Sequence, residues 1–148
     1  MAAPLPVGSK LVACARPLLA GRGMRFVPYL GLCAAYLQGG LAELGDFPRA
    51  VAEMNHFGLA PVRLFAEQTI ALELGASAKV LSGWWRWFGA VTLSCFTLLA
   101  ALLALRFWKL PACAERFMAA NAFFERLGLA GGFLRVAWLD LNERRSLP

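Results

Sequence analysis

Five of the ionisable side chains inside or beside long apolar runs, where a charge is costly and therefore informative, are candidates for a polar site: Glu43, Glu73, Arg106, Glu125 and Arg126. Glu73 is the leading candidate, because an ionisable group inside a membrane span indicates a proton or ligand site, or else a carboxylate that locks its helix to its neighbours. Glu43 ends its apolar run, which favours a place at the interface. If it reaches Glu73, the two carboxylates cannot both ionise cheaply in a dry interior. One would then take up a proton or pair with Arg106 or Arg126.

Other kinds of chemistry lack the residues that they need. The chain has no phosphate-binding glycine loop and no catalytic triad, and its one histidine, His56, has no second ligand type beside it. The cysteines at positions 14, 33, 95 and 113 form no CxxC pair, although a redox pair among them stays open. The net charge of +6 comes from basic residues that flank apolar runs, not from a stripe interleaved with aromatic rings. We therefore predict no catalytic residue, no metal site and no nucleic-acid partner.

The element that must position the polar site is an uncharged run, Trp87–Leu105, closed by Arg86 and Arg106. About 19 residues at ~1.5 Å each make a helix of roughly 29 Å, close to the thickness of a bilayer's hydrocarbon core. Tryptophans precede it and an aromatic pair follows it, as expected for rings in the two headgroup zones. With 59% hydrophobic and 16% charged residues, the chain is more apolar than a soluble domain. We therefore expect a lipid bilayer around it.

Three further runs extend the count of predicted spans to four: Phe26–Ala42, Val62–Leu81 and Asn121–Leu139. Gly45–Pro61 predicts a loop with a short amphipathic helix lying in the interface plane, and Ala112–Ala120 predicts a second loop. The expected fold is all-α, a four-helix transmembrane bundle with a short interfacial helix between spans 1 and 2.

Small residues mark helix faces suited to close packing. Gly31, Ala35 and Gly39 recur at every fourth position of the first span, and Gly128 and Gly132 form a GxxxG pair in the last. In lipid, where packing replaces the hydrophobic effect, such faces let another helix approach closely. They predict other membrane-protein subunits or a second copy of the chain as partners.

The chain divides into a basic lead-in (residues 1–24), a membrane domain (residues 25–139) and a polar tail (residues 140–148). Four spans put both termini on one side, and the basic residues of the lead-in and tail make that side cytoplasmic. A lead-in that carries arginines and no acidic residue is also typical of mitochondrial presequences. A mitochondrial or other organelle membrane therefore stays open.

Four short motifs occur in order along residues 25–139. They are Leu72-Glu73-Leu74-Gly75, Gly83-Trp84-Trp85-Arg86, Arg106-Phe107-Trp108 after the apolar run Phe96–Leu103, and Leu129-Ala130-Gly131-Gly132-Phe133-Leu134. In this order and spacing the chain resembles the DoxX family of small four-helix membrane proteins. It departs from the family at Glu43, Leu105 and Glu125-Arg126, where members often carry Lys, His and Lys-Asn.

The resemblance implies a bacterial inner membrane and an association with thiosulfate:quinone oxidoreduction or with complexes that handle oxidative and thiol stress. The residues themselves predict no cofactor. Quinone is the one cofactor that the family resemblance implies. We predict a non-catalytic subunit of a membrane complex, built around a redox enzyme or another assembly, because the chain lacks redox chemistry of its own. Two alternatives stay open. One is a quinone-linked oxidoreductase component or small-solute carrier that uses Glu73, and the other is an assembly factor for another membrane protein.

Overall fold

The computed structural model of the chain describes residues 13, 17, 21–58 and 60–145. Over these residues it is all-helical, with five α-helices, one 3-10 turn and no strand. The elements are α1 (Arg22–Gly45), α2 (Phe47–His56), α3 (Val62–Ser82), α4 (Arg86–Ala104), the 3-10 turn (Phe107–Lys109) and α5 (Ala114–Arg145). The all-α prediction is confirmed for this part of the chain. Cys14, most of the expected lead-in and the last three residues of the tail lie outside it.

Two helices begin earlier than the apolar runs indicated. α1 starts at Arg22, so Pro28 lies inside the helix, where it removes one backbone hydrogen bond. α5 starts at Ala114 and continues for 32 residues. The loop expected over Ala112–Ala120 is therefore wrong beyond its first two residues. Glu115 explains part of the difference, because an acidic side chain in the first turn favours a helix start.

The short helix expected between the first two spans is present as α2. The Asp46 carboxylate accepts a hydrogen bond from the backbone N–H of Arg49 at 3.3 Å and caps the helix. Pro48 lies in the first turn, where its missing N–H costs nothing. The buried side chains Ala50 and Met54 pack against the first half of α3. This contact holds α2 against the bundle.

The long helices pack mainly in chain order, with α3 between α1 and α4, and α4 between α3 and α5. Their common core includes the buried side chains of Cys33, Tyr36 and Phe133. α1 and α5 contact each other sparingly, and the Leu32 side chain of α1 lies against Gly132 of α5. The bundle is therefore closed along three helix pairs and loose along the fourth.

Two glycines stand where helices approach most closely. A Cβ on Gly89 of α4 would come within 2.7 Å of the Ala76 backbone oxygen and 2.8 Å of the Lys79 Cβ on α3. A Cβ on Gly40 of α1 would come within 2.9 Å of the Leu74 side chain on the other face of α3. Such small residues allow the backbones of membrane helices to approach one another. They set the position of α3 between its neighbours.

Aromatic rings gather at both ends of α4. The first aromatic band comprises Trp84, Trp85, Trp87 and Phe88, and the second comprises Phe107, Trp108, Phe123 and Phe124. The 19 residues of α4 separate the bands by about 29 Å. Among the described residues, one helical stretch, Arg86–Lys109, has both the length and the composition to cross a membrane.

Candidate functional site

Glu73 lies near the middle of α3, and its side chain is 9% exposed. Two glycines of α1 leave room for its carboxylate, because an added Cβ would lie 3.3 Å from Glu73 Oε2 at Gly39 and 3.4 Å from it at Gly40. Within the described residues, Oε2 has no hydrogen-bond partner. A buried polar atom without a partner costs free energy. Because no hydrogen bond fixes this oxygen, its position depends on the packing of α3 against α1.

A cavity of about 300 Å³ opens beside Glu73, between α1, α3, α4 and α5. Its lining residues are Ala35, Tyr36, Glu73, Phe96, Thr97, Glu125, Arg126 and Leu129. The volume is at the lower end of the range for small-molecule sites. Ala35 on α1 and Glu125 and Arg126 on α5 are exposed. The cavity therefore opens outwards, along the loose contact between α1 and α5.

A chain of hydrogen bonds forms the inner wall of the cavity. The Thr97 hydroxyl donates to the Leu93 carbonyl of its own helix. Its oxygen is then the acceptor for the Tyr36 hydroxyl, which donates across from α1. Phe96 and Phe133 contact the Tyr36 ring edge-on, with ring centroids 6.4 and 5.6 Å away. Sequence reasoning missed Thr97, whose partner lies 61 positions away in the chain.

Glu125 and Arg126 of α5 stand at the outer rim of the cavity. Among the described lining residues, Arg126 is the one cation, and its charge acts on both Glu73 and Tyr36. The cavity thus combines a buried carboxyl, an aromatic wall, a guanidinium and an exposed carboxylate. This set of groups can hold a small molecule whose polar head carries hydrogen-bond acceptors or donors.

Glu43 lies one helical turn beyond Gly39, past the predicted span that ends at Ala42, and it does not line the cavity. Its side chain is half-buried, and its Oε2 has no partner within the described residues. Burial raises the pKa of the Glu43 carboxyl above its ordinary value, and the negative charge of Glu53 raises it further. The positive charge of Arg49 partly offsets this rise.

The structure brings three of the five predicted site residues to the cavity, namely Glu73, Glu125 and Arg126. Glu43 approaches Glu73 closely enough for its charge to act on it. Arg106 is exposed just beyond the end of α4 and is not part of the lining. Arg126, and not Arg106, is therefore the cation whose charge acts on Glu73.

The requirements of a metal site and of a disulfide can be compared with the described residues. No group of three or more His, Cys, Asp or Glu side chains lies close enough together in them to hold a metal ion. Cys33 is a buried free thiol, and Cys95 and Cys113 are exposed free thiols. The described part of the chain therefore contains no disulfide-bonded cysteine.

A polar contact at the opposite end of the bundle also went unpredicted. Asp140, in the expected polar tail, is 8% exposed because α5 continues past it. Its carboxylate accepts hydrogen bonds from the backbone N–H of Trp87 at 3.2 Å and from Arg144 Nε at 3.0 Å. It therefore caps α4, with its negative charge at the positive end of the helix dipole. The only sequence signal was an acidic residue beside a span.

The chain has no match among curated proteins and none among solved structures. The model of the family described as DoxX matches residues 29–106, which is more than half of the chain. The match covers α2, α3, α4 and most of α1, and it includes Glu43, Glu73 and Arg106. Glu125 and Arg126 lie beyond it. The resemblance seen in the motifs is thus confirmed, and the chain belongs to the DoxX family, whose members are generally associated with membranes.

Proposed function

We propose that the chain crosses the bilayer four times, through α1, α3, α4 and α5. Their 24, 21, 19 and 32 residues correspond to about 36, 32, 29 and 48 Å, against a hydrocarbon core of about 30 Å. Each helix also turns large apolar side chains outwards. Leu30, Leu64, Leu99 and Leu134, one from each helix, are between 44% and 60% exposed. Lipid is the surrounding in which such exposure is not penalised.

The proposed topology places both termini in the cytoplasm and α2 in the plane of the opposite interface. Its apolar side chains pack on α3, and its polar side chains face water. The bacterial inner membrane is the proposed location, with an organelle membrane as the alternative. In a cysteine-free background, a membrane-impermeant maleimide added to intact cells should label His56→Cys and spare Arg145→Cys. Equal labelling of both positions would contradict this topology.

The proposed function is that of a non-catalytic subunit in a membrane, redox-linked complex. The observation that supports this function is a set of helix glycines that contact no other helix of the described chain. Within the described chain, no neighbouring group lies within 4 Å of a Cβ built on Gly31, Gly75, Gly128 or Gly131. A glycine inside a helix costs about 0.5–1 kcal/mol relative to alanine. A partner helix that approaches these faces closely would offset that cost.

Mild detergent extraction followed by identification of bound proteins tests the subunit function. A stable partner that carries its own redox cofactor is the expected result. The Gly128→Leu variant should lose that partner because the new side chain blocks the close approach. Leu99→Ala, an equally outward change on α4, serves as the matched control and should keep it. Retention of the partner by both variants would rule out docking through Gly128.

The cavity favours a second function, the binding of a lipid-soluble molecule with a polar head, and quinones are the class that the family suggests. Phe123 and Phe124 of the second aromatic band directly precede Glu125 and Arg126, so the cavity lies next to the depth of lipid headgroups. A quinone carbonyl would accept a hydrogen bond from Arg126. Its ring would pack against Phe96, and its tail would leave between α1 and α5.

Solvent extraction of the purified protein and mass spectrometry of the extract test this second function. A quinone or similar lipid should be present with the wild type and lost with Ala35→Leu, which fills the mouth of the cavity. Ala34→Leu is the matched control, because Ala34 is exposed on the same helix but does not line the cavity. Equal amounts of bound lipid in both variants would exclude the cavity as its site.

A further inference from the structure

Two buried carboxylate oxygens in the described chain have no hydrogen-bond partner. They are Oε2 of Glu43 and Oε2 of Glu73. Glu73 Oε2 lies against Gly39 and Gly40 of α1. Glu43 follows those glycines by three to four residues, a spacing that puts side chains on one helix face about 5–6 Å apart. The two carboxyl groups therefore face the same groove between α1 and α3.

A proton is the ligand that these two groups require. The Glu43 carboxylate acts electrostatically on Glu73, and two negative charges at close range in apolar surroundings disfavour each other. A single proton removes one of the two charges. It also gives one carboxyl an O–H that can donate to an unpartnered oxygen of the other, directly or through a water molecule.

A third carboxylate stands on α2, the helix that directly follows Glu43 in the chain. Glu53 is exposed on α2, and the buried side chains of that helix pack in one cluster with Leu74, the residue that follows Glu73. Its neighbour Met54 is buried against α3, so α2 is held in place beside the pair. Along the series Glu53, Glu43 and Glu73, the side chains pass from exposed to half-buried to buried.

We propose that Glu43 and Glu73 share one proton and that Glu53 supplies it from water, so that the cavity is protonated from the α2 face of the bundle. The proton binds Glu53, moves to Glu43 and then to Glu73. Each carboxylate that releases it regains its negative charge, so no other reactant is needed. The proposal rests on the proposed place of α2 at the interface, and it is independent of which molecule occupies the cavity.

The other titratable and charged groups near the pair come from α1, α2 and α5. Those that face it are Tyr36 on α1, Arg49 and Glu53 on α2, and Glu125 and Arg126 on α5. From α4, the lining side chains Phe96 and Thr97 carry no charge. The guanidinium of Arg126 favours ionised Glu73.

The test is a rapid pH jump on the full-length protein in lipid vesicles, followed by time-resolved infrared spectroscopy of the carboxyl C=O stretch. Loss of a band in Glu73→Gln assigns that band to Glu73. Glu43→Gln and Glu53→Gln should each slow the response of the Glu73 band at least about tenfold. The matched control is Glu67→Gln, because Glu67 is an exposed carboxylate on the same helix as Glu73 and already pairs with Arg63 at 3.7 Å. Its rate should equal that of the wild type.

Equal rates in the wild type, Glu43→Gln and Glu53→Gln would overturn the proposal. So would a band that responds to Na⁺ or Ca²⁺ at constant pH, which would show a bound cation in place of the proton. If a Gln variant does not fold, Glu43→Asp and Glu53→Asp keep the carboxylates and should restore proton transfer. Failure of the Ala35→Leu test of lipid binding would leave these rates unchanged, so the two proposals can fail separately.

Discussion

Replacing Gly89 by alanine tests whether α3 and α4 pack as closely as the structure shows. The new Cβ would stand 2.7 Å from the Ala76 backbone oxygen, 2.8 Å from the Lys79 Cβ and 3.3 Å from Val80 Cγ2. The two shortest contacts involve a backbone atom and a Cβ, so neither can be relieved by turning a flexible side chain. The two helix backbones would have to separate.

The expected cost follows from two opposing terms. Overpacking a close contact costs about 1–3 kcal/mol, and the upper part of this range applies because the backbones must move. Alanine regains about 1 kcal/mol over glycine through its higher helix propensity. We therefore expect Gly89→Ala to lower the free energy of unfolding by about 2 kcal/mol.

Unfolding with SDS in mixed micelles, followed by circular dichroism, measures this change. Gly128→Ala is the matched control, because no neighbouring group of the described chain lies within 4 Å of its built Cβ. It should stabilise the isolated chain by about 0.5–1 kcal/mol through helix propensity alone. If Gly89→Ala proves as stable as the wild type or more stable, the close approach of α3 and α4 is wrong.

Replacing Asp140 by asparagine removes the charge that caps α4 at the Trp87 N–H and should lower the unfolding free energy by about 1 kcal/mol. An unchanged SDS midpoint would argue against the cap. Tyr36→Phe should cost about 1 kcal/mol, whereas Thr97→Val should cost about 1–3 kcal/mol because it leaves the buried tyrosine hydroxyl without its acceptor. Equal losses of unfolding free energy in these two variants would contradict the assignment of the Tyr36 hydroxyl as the donor. Burial raises the pKa of Glu43, so folding favours its protonated form, and this contribution to stability is present at acid pH and lost as pH rises through the raised pKa. The free energy of unfolding of Glu43→Gln minus that of the wild type should therefore increase from acid to neutral pH. If this difference does not change with pH, the prediction is refuted.

Local signals predicted the helices well where they were unambiguous. The uncharged run Trp87–Leu105 matches α4 to within one residue at each end, because charges and aromatic rings bound it on both sides. Asp46 and Pro48 mark the start of α2 in the same local way. The start of α5 was missed because the polar residues in Ala112–Ala120 are compatible with both a loop and a helix. Glu115 favours the helix locally, and the packing of α5 against the preceding 3-10 turn adds a contact that hydropathy does not show.

The sequence by itself determined the helices and the presence of a carboxyl group in the middle of one of them. Both are local properties, since hydropathy and helix propensity sum over neighbouring residues. The tertiary structure decided which groups meet Glu73. An apolar helix in lipid can rotate about its axis with little change in the apolar surface that it exposes. The rotation of α3 is therefore set by its close contacts with neighbouring helices, such as those with Gly40 of α1 and Gly89 of α4. That packing brings Arg126 to the cavity and leaves Arg106 outside it.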